Sequence, residues 1–342
     1  MLEKLKLYVT RVGVFLIPVA LVVGMAGCDG CTPSQNLEIR DWYDLDAVRN
    51  NLGGHHILMN DIDSNTRGYA EMASPTANGR KGWQPIGWGY WAWTPFGDKV
   101  LGEIFKGTFD GQGYEIRDLF INRSGWGGSG IFGCVGKGGI IRNIGVTNAT
   151  MTVPADVVRS LDVAPIDAVG IVVGFSMGSV SGSYASGAVS GDWSVGGLVG
   201  QNTGTVNNCY STANVTGTWA VGGLVGSNGD LKYGGTVSNC YSTGNITGDE
   251  YVGGLVGKNE GSTPGVNFRG SVRKSFWDIE TSGQATSDGG KGKTTGEMKD
   301  IATFSDAGWN MIAVANPGTR DPSYIWNIVD GVTYPFLSWQ AV

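Results

Sequence analysis

One hexapeptide constrains this chain more than any other feature. Val195-Gly-Gly-Leu-Val-Gly200 recurs from Val221 to Gly226 and from Val252 to Gly257, at spacings of 26 and 31 residues. A second block keeps the same phase: Val206-Asn-Asn-Cys-Tyr-Ser211 matches Val237-Ser-Asn-Cys-Tyr-Ser242, with weaker copies at Val180 to Ala185 and Val272 to Trp277. A third, Asn214-Val-Thr-Gly217, matches Asn245-Ile-Thr-Gly248. Self-similarity at such a period marks a solenoid, in which one coil cannot bury its own apolar face and stacked neighbours make the core. Three strand-like blocks in each period predict coils of about 26 residues with about three faces. The five extra residues of the longer spacing fit Asp230 to Gly234, a surface-loop insertion.

Equivalent positions of neighbouring coils stack about 4.8 Å apart. Asn202, Asn228 and Asn259 then form an asparagine ladder, Tyr184, Tyr210, Tyr241 and Phe276 an aromatic stack, and Trp193 sits over Trp219. Cys209 and Cys240 become neighbours, read as buried thiols in a core row in preference to a disulfide. Strict alternation fails within Val-Gly-Gly-Leu-Val-Gly, so a bend or bulge must interrupt that block. Composition agrees with an all-β chain. Glycine is 58 of 342 residues without a three-residue period, and Val, Ile, Leu and aromatics share its segments. That combination reads as many short strands joined by tight turns.

Charge narrows the partners. Between residues 170 and 248 only Asp192, Asp230 and Lys232 are charged. No basic patch stands out, which argues against a nucleic-acid partner. The first 27 residues read as a signal peptide: Lys4, Lys6 and Arg11, then an apolar run from Val12 to Val23, then small residues. Met25-Ala26-Gly27-Cys28 resembles a bacterial lipobox, with Met25 where Leu is usual, so Cys28 is expected to carry the lipid. This implies an exported protein held at a membrane surface. Without those 27 residues Lys+Arg falls from 24 to 21 and Asp+Glu from 30 to 29, a net charge of −8.

Gly-Leu-Val-Gly followed by Asn-Cys-Tyr-Ser-Thr resembles the GLUG motif of bacterial and archaeal surface proteins. Leu58-Met-Asn-Asp-Ile-Asp63, Trp83-Gln-Pro-Ile-Gly87 and Gly107-Thr-Phe-Asp-Gly-Gln-Gly113 are similar to segments that precede such repeats; Ser275-Phe-Trp-Asp278 and Tyr334-Pro-Phe-Leu337 are similar to segments that follow. The resemblance implies a right-handed parallel β-helix exposed at a cell surface, and no reaction. Some GLUG repeats accompany immunoglobulin-cleaving metallopeptidases, but their zinc helix, His-Glu-x-x-His, does not occur in this sequence.

The expected organisation is a signal peptide over 1–27, an anchor linker and helical cap over 28–56, a β-helix over 57–291 with its clearest repeats over 165–260, and a C-terminal capping module over 292–342. Tyr43 to Leu52 reads as the first capping helix, with Leu45, Val48 and Leu52 on one face, stopped by Gly53-Gly54. Thr295 to Phe304 reads as the second, and polar, glycine-rich Gly283 to Gly296 as a loop. The caps answer a need, because an open coil exposes strand edges.

Catalytic chemistry finds little support. His55 and His56 lack the Gly-His-Gly setting of β-helical pectin hydrolases, and the central coils hold too few charges for a lyase. Asp61 and Asp63 are candidates for calcium, with local backbone hydrogen bonding preferred. Asp110-Gly-Gln-Gly113 reads as a structural turn. No cofactor, metal site or catalytic residue is assigned. The departure from the family pattern is residues 87–104, an insertion that carries Trp88, Tyr90, Trp91 and Trp93. These aromatics do not recur with the coil. They form either an apolar flap folded onto the solenoid or an exposed platform for sugar rings. The functional expectation is a non-enzymatic adhesin or glycan-binding solenoid. The alternatives are a purely structural envelope spacer and, third, a β-helical polysaccharide lyase or hydrolase.

Overall fold

The computed structural model describes residues 37–92, 99–123, 127–154, 163–165, 168–230, 233–260 and 269–340. The signal peptide, Cys28 and Cys31, and Trp93 lie outside the described residues. The chain winds into a stack of parallel rungs. One sheet has eight strands, running from Leu37–Ile39 through His55–Leu58, Thr108–Asp110, Ile140–Arg142, Ser179–Ser181, Thr205–Asn207 and Thr236–Ser238 to Ser271–Arg273. Another holds five strands, among them Val199–Asn202, Val225–Asn228 and Val256–Asn259. A ten-stranded sheet contains the Tyr-Ser strands Tyr210–Ser211 and Tyr241–Ser242, and a four-stranded one contains Trp193–Gly196, Trp219–Gly222 and Glu250–Gly253. The fold is a parallel β-solenoid.

Register follows the repeat residue for residue. Val195 pairs with Val221 and Val221 with Val252; Val206 pairs with Val237, and Tyr210 with Tyr241. Core rows form at these positions: Val180, Val206 and Val237; Leu198, Leu224 and Leu255; Val199, Val225 and Val256, all fully buried. Cys209 and Cys240 are buried free thiols in such a row. Asn202 Nδ2 donates to Asn228 Oδ1 at 2.8 Å, and Asn228 Nδ2 to Asn259 Oδ1 at 2.9 Å. The tyrosine rings stack with centroids 4.9 Å apart and planes 1° from parallel, the rung spacing itself.

The structure has more faces than the sequence suggests. Val-Gly-Gly-Leu-Val-Gly is two strands in two sheets, Trp193–Gly196 and Val199–Asn202, with the corner at Gly197-Leu198. A Cβ on Gly197 would lie 2.1 Å from Ser211 Oγ, so this corner admits only glycine. A second corner uses a left-handed residue once per coil: Asn143, Gly182, Asn208, Asn239 and Lys274 have φ between +50° and +53°. Asparagine tolerates that conformation better than other side chains, which gives Asn-Cys-Tyr-Ser a backbone reason.

Three boundaries differ from the sequence expectation. Leu37–Ile39 pairs in parallel with His56 to Leu58, so a solenoid rung precedes the residue 57 at which the sequence places the first. The N-terminal helix, Trp42–Ala47 with a 3-10 turn Val48–Asn50, is an excursion within that first coil, and buried Trp42, Leu45 and Val48 join its core. Asp41 caps it, accepting from the backbone of Tyr43 and Asp44. Within Gly283 to Gly296 lies not a loop alone but a terminal partial rung. Gly254 N donates to Thr286 O, Val256 N to Ser287 Oγ, and Asn259 N to Asp288 Oδ2, while Lys291–Lys293 pairs with Phe276–Asp278. The last full coil has N–H groups to satisfy, and the side chains of Ser287 and Asp288 supply acceptors where earlier coils use backbone carbonyls.

The C-terminal module lies along the flank of the stack rather than over its end. Its 3-10 turn Glu297–Lys299, helix Ile301–Ser305 and three short strands, Met311–Ala313, Trp326–Ile328 and Phe336–Leu337, pack on Tyr184, Tyr210, Tyr241 and Phe276. Those rings point out of the solenoid core, so their apolar faces need a cover of their own. Tyr210 Oη donates to Gln340 Oε1 at 2.8 Å, and Trp326 Nε1 to Asn208 Oδ1 at 3.3 Å. Burial raises the ionisation of the Tyr210 and Tyr241 phenols far above the ordinary range.

Candidate functional site

The candidate site begins at a buried tryptophan. Trp83 is fully buried, packs 5.8 Å from Trp42, and donates from Nε1 to Ile131 O at 3.2 Å. The chain then runs to Ile86, which bridges Phe132 in parallel. At Gly87 it leaves the core. The backbone there is left-handed, φ +73°, and a Cβ would lie 2.8 Å from Cys134 O. Trp88 follows at the surface, 44% exposed, its N–H donating to Glu103 O at 2.8 Å.

Beyond Trp88 the inserted residues form their own sheet. Tyr90–Ala92 pairs antiparallel with Lys99–Leu101, Trp91 opposite Val100, and also antiparallel with Val163–Pro165. The structure therefore gives the insertion a regular antiparallel backbone that departs from the parallel rungs. It places Tyr90 and Trp91 on the central strand of three.

Beside Trp88 lies a groove of about 520 Å³, lined among others by Arg49, Gln84, Trp88, Glu103, Arg123 and Gly128. Two guanidinium groups hold its floor. Arg123 donates from Nε to Trp83 O at 2.8 Å and from Nη2 to Gly82 O at 3.0 Å. Arg49 donates to Gln84 O at 3.0 Å and Pro85 O at 3.4 Å, and pairs with Asp46 at 2.6 Å. Four consecutive carbonyls thus bind two cations. Burial, then the neighbouring charge of Arg49, lowers the Arg123 pKa from its ordinary value. Nothing local in the sequence marks Arg49, Arg123 or Glu103 as partners; only the coil geometry brings residues 49 and 123 together.

The other candidates are engaged locally. Asp61 accepts from Glu115 N at 2.8 Å and pairs with Arg117 at 2.7 Å; Asp63 accepts from Asn65 N and Thr66 Oγ1. Among the described residues no group of three His, Cys, Asp or Glu is placed to hold a metal ion. Asp110 accepts from Gln112 N and Arg142 Nε, a turn and a cross-rung pair. His56 is buried with Nε2 2.9 Å from Asn51 O, and burial lowers its pKa. Cys134, Cys209 and Cys240 are buried, and burial pushes the Cys134 thiol up to about 12, away from reactivity.

Fold and corners together define a parallel β-solenoid with an antiparallel insertion. Within that class the family model of the GLUG motif matches residues 191–216 and 217–247, so the solenoid carries two GLUG motifs in tandem. Halomucin of Haloquadratum walsbyi is 29% identical over 170 residues, 49% of this chain and 2% of that protein. A candidate Gly-rich membrane protein of Evansella cellulosilytica is 37% identical over 111 residues, 32% of this chain and 10% of that protein. The chain thus spans a small fraction of both relatives. A crystal structure of a candidate immunoglobulin A1 protease from Bacteroides ovatus superposes with a TM-score of 0.55 at 20% identity, over 90% of this chain and 94% of that one. That likeness bears on the fold.

Proposed function

We propose that this is an exported, non-enzymatic surface protein whose Trp88 groove binds glycans. The observation that carries the reading is a large aromatic exposed at the rim of a polar groove, on a segment that breaks the coil period. A flat apolar face with polar groups beside it suits a sugar ring, which presents C–H bonds on one side and hydroxyls at its edge. Two of the acidic side chains considered in the sequence are held in ion pairs: Asp61 with Arg117, and Asp110 with Arg142. The pattern of Lys4, Lys6 and Arg11, the apolar run and Cys28 supports export and attachment through a lipid, and the name of the Evansella relative is in keeping with a membrane location.

The test is a glycan array with the chain and its Trp88→Ala variant. Binding that drops about tenfold in the variant, at roughly 1–2 kcal/mol for one stacked ring, supports the proposal. No glycan bound by the unaltered chain overturns it and favours the second reading, an envelope spacer, which the asparagine and tyrosine ladders also suit. Attachment is tested separately: Cys28→Ser moves the protein to the soluble fraction if the lipid holds it, and leaves it with the membranes if not.

A further inference from the structure

Among the described residues, one cation in the groove beside Trp88 has no carboxylate partner. Of its two guanidinium groups, Arg49 is paired with Asp46 through two contacts, at 2.6 and 2.9 Å. Arg123 is not. Its Nε and Nη2 donate to the carbonyls of Trp83 and Gly82, and among the described residues its Nη1 has no acceptor and no carboxylate pairs with it. Carbonyl oxygens fix the orientation of the fork without cancelling its charge. The remaining charged residue lining the groove, Glu103, is exposed and shares no ion pair with either arginine. Arg49 sits close enough to Arg123 to disfavour its charge, a repulsion that an anion in the groove would relieve.

We propose that the groove selects negatively charged sugars, with the anionic substituent accepting from Arg123 Nη1 while the ring lies against Trp88. This rests on the glycan reading above and adds a chemical class to it. The planar guanidinium suits a carboxylate or a sulfate, and its position is set before the ligand arrives by the Gly82 and Trp83 carbonyls. Preorganisation of this kind favours selectivity over raw affinity.

The experiment is titration calorimetry of the full chain with three oligosaccharides of equal length: a galacturonate oligomer, its methyl ester, and a sulfated galactan. Preference for a charged oligomer over the neutral ester by roughly tenfold, shrinking as salt rises, is the expected result. The uronate and sulfate arms then tell which anion is the better fit. Arg123→Gln removes the preference, read within the variant as the ratio of its affinities for the charged oligomer and the ester. Glu103→Gln, at an exposed position, raises affinity for the charged oligomers relative to the ester about twofold. An ester bound as tightly as the acid, or a preference that survives in Arg123→Gln, overturns the inference and leaves the glycan reading intact. If Arg123→Gln does not fold, Glu103→Gln decides: equal affinity for the charged oligomers in that variant and the parent counts against an anion in the groove. If none of the three oligomers binds, the inference falls.

Discussion

Two sets of aromatic residues in this molecule have opposite fates. Tyr184, Tyr210 and Tyr241 recur at the coil period, stack at 4.9 Å and are covered by the C-terminal module. Trp88 belongs to no row and stands 44% exposed beside a groove. The first set is explained by the repeat: once a ring is placed on one rung, the next rung places another above it, and the resulting apolar ridge must be covered. Trp88 has no such account, because among the described residues no neighbouring coil presents an equivalent ring. Trp193 and Trp219 show that period and burial are separable. They stack 4.5 Å apart yet stay partly exposed, Trp219 lying under Lys258 Nζ at 4.4 Å. Period identifies packing. Departure from period together with exposure is what singles out a candidate site.

The sharpest way to break this comparison is to attack a periodic position. Leu224 is fully buried between Leu198 and Leu255. Leu224→Asp places an unpaired charge in that row, at an expected cost of about 5 kcal/mol, enough to abolish cooperative unfolding in a circular-dichroism melt. A variant that melts near the parent temperature would move Leu224 off the core. Next in size is Tyr210→Ala, which removes the middle ring of the ladder, its bond to Gln340, and its contact with Trp326. The expected loss is about 3 kcal/mol in urea denaturation. A loss below 1 kcal/mol would mean that the module does not need the ladder.

How much of this was legible without coordinates follows the same division. The rung register, both ladders and the Trp193–Trp219 stack were readable because one period fixes every equivalent position once three copies are seen. The corner within Val-Gly-Gly-Leu-Val-Gly was readable only as a failure of alternation; that it separates two sheets depends on Gly197 meeting Ser211 at close range, a contact between distant residues. The terminal partial rung was hidden because Ser287 and Asp288 act through side chains where earlier coils use backbone, so its composition resembles a loop. The flank position of the C-terminal module was hidden for another reason. Nothing in the repeat says which face of the tyrosine strand is inside. At the candidate site the sequence marked Trp88 by its departure from period, but Arg49 and Arg123 are single residues with no motif, and only the winding brings them together.

A smaller effect probes the aperiodic end of the solenoid through pH. His56 is buried beside Asn51 and Phe105. Its Nε2 donates to Asn51 O, and Nδ1 is buried with no hydrogen-bond partner among the described residues. Burial foremost lowers its pKa in the folded chain below the ordinary value of about 6.5. The unfolded chain then binds the proton more readily. The contribution of neutral His56 is complete above the unfolded pKa and is lost as pH falls from there through the lowered folded value. Melting temperature is expected to fall between pH 7 and pH 5, and His56→Gln to flatten part of that slope. An unchanged slope in the variant would assign the pH dependence to other groups.

The smallest expected effect falls on the residue with the largest functional claim. Trp88→Ala removes a side chain that is 44% exposed and belongs to none of the buried core clusters of the described residues. The backbone that holds it is secured independently, by Trp88 N–H to Glu103 O and by left-handed Gly87 fitted against Cys134 O. Truncation therefore leaves the flap anchored, and the expected change in stability is about 0.5 kcal/mol or less, against about 3 kcal/mol for Tyr210→Ala. Urea denaturation of the two variants side by side is the measurement. Equal losses would show that Trp88 packs the flap onto the solenoid, and aperiodic placement would then carry no functional information in this fold. A small loss with weakened glycan binding separates the two roles: a ladder kept for its packing, and one tryptophan whose packing does not explain why it is there.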